Sequence, residues 1–322
     1  MTTSFDIPKR LLIAVGGNAI HPGGIEGTVQ EQVDLAAKTG AALLPIMQMD
    51  NELVITHGNG PVVGKILMRQ ALARRQVAPM TMDICVAHSQ GGIAYLLMQA
   101  LENALRAADN RRHVVCLLTQ VEVDPADAAF QNPSKPVGYF FSKEEAEDVT
   151  QTLGWEMRED AGRGWRHVVP SPQPQHIVDI SLIEAVIKNG AIAIAGGGGG
   201  IPVVRAANGT RRGVEAVIDK DLCSALMANI LNIDTLMILT AVSRVALRFG
   251  TPEQRELDHV TLSELRAYQQ QGHFAAGSMG PKVEAVIRFL ENGGRRAIIA
   301  HLDEAEPALR GATGTQIVAD SV

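Results

Sequence analysis

Three turns in this chain carry residue types that could hold an anion without a charged side chain. Gly16-Gly17-Asn18-Ala19 follows the apolar run Leu11–Val15, and His57-Gly58-Asn59-Gly60-Pro61 follows Leu53–Thr56. The third is a run of glycines from Gly196 to Gly200 after Ala191–Ala195, leading into Ile201-Pro202. Glycine lets backbone approach a ligand closely, so that N–H groups and helix N-termini can face a phosphate. Pro61 suits the first turn of a helix. A lone Gly-Gly would equally serve a sheet edge that needs positive φ, but three clusters after three strands point to a phosphate cradle at the carboxyl ends of a parallel sheet.

Two familiar phosphate motifs are near misses. A Walker A loop needs Gly, four residues, Gly, Lys and then Ser or Thr, whereas Gly64-Lys65 is preceded by Asn59 at the first glycine position and followed by Ile66. Gly58-x-Gly60 with Gly64, and Asp83 further on, approximates a dinucleotide fingerprint and keeps an NADP-dependent oxidoreductase as a remote alternative. Pro61 and the helical surroundings of Asp83 oppose it. His57, within a ligand turn, reads as a hydrogen-bonded structural histidine, and no pair of histidines has metal-ligand spacing. Cys85, Cys116 and Cys223 are far apart and form no Cys-x-x-Cys, as expected of buried thiols in a reducing cytoplasm.

The elements that must position these turns alternate between short β-rich runs and helical stretches. The order is Leu11–Val15, about Thr28–Met49, Leu53–Thr56, Val62–Arg75, His88–Ala107, Val114–Thr119, Ile177–Lys188 and Ala191–Ala195, then Leu222–Leu231, Thr235–Thr240, Val283–Glu291 and Ala297–Ala300. Strand and helix in alternation predict an α/β fold with a mainly parallel sheet. From about Glu122 to Val169 the rhythm breaks, with Pro125, Pro133, Pro136, Gly138 and a dense acidic run. The interval reads as an inserted, mobile subdomain, with Phe130, Tyr139, Phe140 and Phe141 for partial packing.

The balance of 29 Lys and Arg against 35 Asp and Glu, a net charge of −6, argues against a nucleic-acid binder, which would need clustered cations. The segment Met1 to Arg10 has no apolar core of a signal peptide, and no run approaches the ~18 apolar residues of a membrane helix. A cytoplasmic protein without nucleic-acid or membrane partners is expected.

Taken in order, the motifs are similar to those of the carbamate kinase branch of the amino acid kinase family. Val15-Gly16-Gly17-Asn18-Ala19 and Thr56-His57-Gly58-Asn59-Gly60-Pro61 resemble its two opening motifs. Ser89-Gln90-Gly91-Gly92-Ile93, Thr119-Gln120-Val121, Pro133-Ser134-Lys135-Pro136-Val137-Gly138 and Val168-Val169-Pro170-Ser171-Pro172 resemble later ones. So do Gly197 to Val203, Gly213 to Asp221, Gly272-His273-Phe274 and Gly277-Ser278-Met279-Gly280-Pro281-Lys282. The resemblance implies a single domain over 1–322, a three-layer α/β/α sandwich around a mainly parallel sheet, with a protruding lid at about 122–169 and a homodimer. It implies phosphoryl transfer between ATP and carbamate, or from carbamoyl phosphate to ADP, with Mg²⁺ carried by the nucleotide and no metal site of the protein's own.

By the same resemblance Lys135, Lys220, Asp221 and Lys282 are the catalytic residues. Lys220 and Lys282 contact phosphates, Asp221 orients them, and Lys135 reaches in from the protruding subdomain. Gly16, Gly17, Asn18, Gly58, Asn59, Gly60, Gly198 and Gly199 bind substrate or phosphate, and Lys220, Thr240, Met279, Gly280 and Lys282 bind the nucleotide. Asp219 is left as the N-cap of the helix Leu222–Leu231. Ala241, Ala246 and Val62 stand where the family commonly has an acidic residue, an aromatic and a glutamine, and Val137 and Tyr139 depart from its lid motif. These departures leave room for a relative acting on another small carboxylate-like acceptor, or for a nucleotide sensor. The pathway stays open between arginine fermentation and the breakdown of purine-derived carbamoyl compounds.

Overall fold

The computed structural model describes residues 5–17, 22, 25–160, 163–275 and 279–320. Across its largest sheet the strands run His259–Thr261, Thr315–Val318, Arg296–His301, Thr235–Thr240, Arg10–Val15, Glu52–His57, Ile192–Ile194 and Val114–Cys116. Every pairing is parallel except that of Arg296–His301 with Thr315–Val318. Strand Arg10–Val15 lies at the centre, in register with Thr235–Thr240 on one side and Glu52–His57 on the other.

The central strands read as continuous apolar runs because both faces are covered. Leu12 and Ala14 enter the core under the helices Ile180–Lys188, Lys220–Ile230 and Met279–Glu291, while Leu11, Ile13 and Val15 enter the core under Val29–Met47 and Met82–Ala107. Alternate side chains of a strand point to opposite faces, so this one hexapeptide joins both layers. Each such buried Leu or Ile stabilises by ~1.5–3 kcal/mol relative to exposure. The α/β/α sandwich around a mainly parallel sheet is as expected.

Several boundaries moved for tertiary reasons. The helix placed at His88–Ala107 begins at Met82, whose N–H donates to the Glu215 carboxylate at 3.2 and 3.1 Å, a cap supplied from a distant segment. The stretch Ile177–Lys188 divides into strand Pro174–Ile177 and helix Ile180–Lys188, with Asp179 between them at φ 55°. Strand Val114–Thr119 leaves the large sheet after Cys116, and strand Gln120–Val123 joins Arg211–Gly213, Ile201–Arg205 and Pro174–Ile177 in a second, four-stranded sheet. Helix Leu262–Gln270 and the antiparallel strand Thr315–Val318 were not anticipated.

Within the interval 122–169, strands Lys135–Phe141, Trp165–Val169 and Met157–Glu159 form a separate antiparallel sheet. Helix Lys143–Leu153 packs on it, begun by a Ser142/Glu145 capping box and ended by Gly154 in the left-handed region. This small sheet meets the main body where Gly138 lies on helix Gly60–Ala73. A Cβ on Gly64 would come within 2.8 Å of the Gly138 Cα, so two backbones touch there.

Candidate functional site

A cleft of about 630 Å³ opens at the carboxyl ends of the central strands, bounded by the glycine turns, the first turn of helix Lys220–Ile230 and the separate three-stranded sheet. Such strand ends are where open parallel sheets receive ligands.

The first two glycine turns fit together at this end. Gly58 N–H donates to Val15 O, Gly16 N–H donates to Leu239 O, both at 3.0 Å, and a Cβ on Gly58 would lie 2.7 Å from Gly17 N. Gly16 and Gly58 therefore use their N–H groups in the sheet, and glycine is required at position 58 by close approach. Asn59 precedes helix Gly60–Ala73 without capping it, and its Nδ2 donates to Ser89 Oγ at 2.9 Å. With Pro61 in its first turn and no acidic side chain there, that helix N-terminus presents its dipole to the cleft. Asn18 lies outside the described residues.

The third turn acts mainly from beneath. Gly196 N–H donates to Thr119 Oγ1 at 2.9 Å, and Gln90 Nε2 donates to Gly197 O at 2.9 Å. Any side chain at Gly197 would run into the His57 ring, and any at Gly198 into the Asn59 amide, at 2.3 and 2.2 Å. Gly198 reaches the cleft wall, whereas Gly199 is packed under Ile218 O at 2.4 Å from its would-be Cβ and does not line it. His57 is buried, its Nδ1–H donating to Gly58 O at 3.0 Å, and burial lowers its pKa to about 4 with Lys220 acting in the same direction. It is a neutral packing group, as the sequence indicated.

Opposite these turns stand the lysines. Asp221 is 4% exposed, with Lys220 Nζ at 2.7 Å from Oδ1 and Lys282 Nζ at 3.3 Å from Oδ2. Burial alone would raise the Asp221 pKa, but the two ammonium groups outweigh it and hold the carboxylate below its ordinary value. One buried anion thus aims two cations at one space. Asp219 caps the helix, its Oδ1 accepting from Asp221 N at 2.9 Å and Leu222 N at 3.3 Å. Its Oδ2 also lies 3.5 Å from Lys135 Nζ, a partner the sequence did not suggest, and Lys135 donates to Ile218 O at 3.2 Å. Lys135, Lys220 and Lys282, carried by three separate segments, all line the cleft.

Of the residues expected at the nucleotide, Lys220, Thr240 and Lys282 line the cleft. Met279 packs against the core, Gly280 N–H donates to Ala275 O at 2.9 Å, and neither of the two lines it. Ala241 is at the cleft, while Ala246 is buried in a short strand opposite Glu256. Gly64 of the dinucleotide-like pattern contacts Gly138, and Asp83 lies over Gly213 beside another cavity, so although Gly58 and Gly60 line the cleft the pattern does not assemble as a dinucleotide loop. Arg166 and Lys38 also line the main cleft. Neither belonged to a glycine turn, and only their cationic type could have signalled them.

Chemically, the cleft has cations fixed by carboxylates, a helix N-terminus and close-packed glycine backbone, a constellation suited to a multiply charged phosphoryl group. The family model described as the amino acid kinase family matches residues 9–301. A carbamate kinase of Pyrococcus horikoshii is 49% identical over 313 residues, covering 97% of this chain and 99% of that protein. A carbamate kinase of Trichomonas vaginalis is 43% identical over 311 residues, covering 96% of this chain and 99% of that protein. Among solved structures, a carbamate kinase from Giardia lamblia bound to AMP-PNP superposes with a TM-score of 0.91 at 42% identity, covering 97% of this chain and 99% of that one.

Proposed function

This chain belongs to the amino acid kinase family, in its carbamate kinase branch, and we propose that it catalyses reversible phosphoryl transfer between ATP and carbamate. The observation that carries this reading is the buried Asp221 holding Lys220 and Lys282 toward the same cleft that Lys135 enters from the separate sheet.

In the ATP-forming direction a β-phosphate oxygen of ADP attacks the phosphorus of carbamoyl phosphate. The bond from phosphorus to the carbamate oxygen breaks, and carbamate leaves as an anion that takes up a proton from water and decomposes to ammonia and carbon dioxide. Neither reacting oxygen needs to gain or lose a proton, so no general base is called for. What remains is alignment and neutralisation of charge on the transferred group. Lys220 and Lys282 stand on helices packed against the main sheet and would hold that group from one side. Lys135 would meet it from the other, with residues 122–169 acting as a lid that excludes water. Gly17, Asn59, Gly60 and Gly198, with Asn18, would form the floor on the carbamate side, and Thr240 and Ala241 border the nucleotide side.

Mg²⁺ would enter with the nucleotide. Among the described residues no three His, Cys, Asp or Glu side chains form a metal-binding group, and Asp221 is engaged by two lysines. The ion's ligands would be phosphate oxygens and water, and it would supply charge neutralisation there. A homodimer and a cytoplasmic location complete the reading. The three free cysteines suit a reducing compartment, and no described helix is long and apolar enough to cross a membrane.

The test is ATP formation from carbamoyl phosphate and MgADP by the purified protein, with Lys282→Ala as control. We expect turnover by the wild type and loss in the variant. Binding of MgADP without turnover would transfer the assignment to another small carboxylate-like acceptor, a possibility raised by Ala241 at the cleft.

A further inference from the structure

We propose that Arg166 is a positioning residue for Lys135, clamping the bulged strand that carries this lysine so that its ammonium group enters the cleft. The inference rests on the kinase reading above for its functional consequence.

Strand Lys135–Phe141 pairs with Trp165–Val169 through Lys135 with Val169, Pro136 with Val168 and Val137 with His167, and then only through Phe141 with Trp165. Gly138, Tyr139 and Phe140 therefore face Arg166 alone. The chain bulges there, with Gly138 at φ 82°. A bulge bends its strand and re-aims the neighbouring side chains, here within three residues of Lys135.

The Arg166 guanidinium joins the two sides of this bulge. Nη2 donates to Pro136 O at 3.3 Å, on the residue next to Lys135, and the group lies 5.1 Å from the centroid of the Phe140 ring. Nη1 donates to Asp160 Oδ2 at 3.2 Å, which fixes the guanidinium from a third direction. The bulge also rests against Gly64, with no room for a methyl group. The bulge thus contacts both the Gly64 helix and Arg166, and Lys135, three residues before Gly138 on the same strand, reaches Asp219 at 3.5 Å.

A planar guanidinium can stack on a ring while donating in two directions, which an ammonium cannot do. Arg166 also lines the cleft, yet its Nε is buried and lacks a hydrogen-bond partner. Both terminal nitrogens are engaged, Nη1 by Asp160 and Nη2 by Pro136 O, leaving Lys135 as the cation that approaches the transferred group.

The experiment compares Arg166→Met, Arg166→Lys, Lys135→Met and the double variant Arg166→Met/Lys135→Met in ATP formation, together with hydrogen exchange of segment 135–141. Misplacing a catalytic group by about 1 Å can cost ~100-fold, so Arg166→Met should lower kcat by about 10-fold or more while KM for ADP stays within about twofold. Arg166→Lys should resemble it. In the Lys135→Met background, removing Arg166 should change kcat by less than about twofold, the non-additivity expected of residues acting through one another. Exchange in 135–141 should quicken while the central sheet is unaffected.

Additive losses, or full rescue by Arg166→Lys, would overturn the proposal in favour of a direct charge on the substrate. Unchanged exchange would overturn the clamp itself. If the wild type formed no ATP, the kinase reading would fail on that arm while the exchange measurement still decided whether Arg166 holds the strand.

Discussion

Asp221 illustrates how one residue can set a site. Its type and neighbours were visible in Asp219-Lys220-Asp221, but its 4% exposure and its grip on Lys282, a residue 61 positions away, depend on the packing of two helices. His57 shows the complementary case, a polar residue in a ligand turn whose burial removes it from acid–base chemistry. It has a measurable consequence. The unfolded chain takes up a proton on this imidazole as pH falls through about 6.5, whereas the folded chain resists until about 4. Stability from this source is complete above 6.5 and declines as pH falls between those values, because the unfolded state binds more protons there. His57→Gln should flatten the dependence of unfolding free energy on pH across this window, measured by denaturant titration. An unaltered slope would show that His57 is not held neutral.

At the scale of elements, the glycines were legible by residue type, yet what requires glycine at each differs and lies largely in other segments. Gly198 has φ 66° and would strike Asn59 if it carried a side chain, whereas Gly16 is restricted by Leu239 O at 3.0 Å and Gly64 by another segment altogether. The start of helix Met82–Ala107 was misplaced because its cap, Glu215, is 133 residues away and leaves no local signature. Gly64→Ala probes the contact between the separate sheet and helix Gly60–Ala73. Its methyl group would lie 2.8 Å from the Gly138 Cα, so backbone must move. Overpacking of this kind costs ~1–3 kcal/mol, and Gly64→Ala should lose about that much in denaturant unfolding and also turn over more slowly. A neutral or stabilising effect would mean that the two backbones are not in contact.

For the whole molecule, the cleft draws its walls from both ends of the chain and from the separate sheet, so a ligand filling it ties these parts together. MgADP at about 100 times its dissociation constant should stabilise the folded state by ~2.7 kcal/mol, seen as a raised melting temperature, and NADPH should produce no such shift. The opposite pattern would remove the nucleotide-dependent kinase reading.

The sequence by itself determined the alternation of strands and helices and the glycine turns, because periodicity and φ restrictions are properties of short segments, while the resemblance of its motifs to a known family singled out the three lysines. Tertiary structure decided which of those residues share a space. It placed Gly198 at the cleft and Gly199 beneath Ile218, gave Lys135 a partner in Asp219, and set Arg166 opposite a bulge. Such relations arise from strand register and helix packing between distant segments, and no local pattern of residues encodes the distance across a cleft.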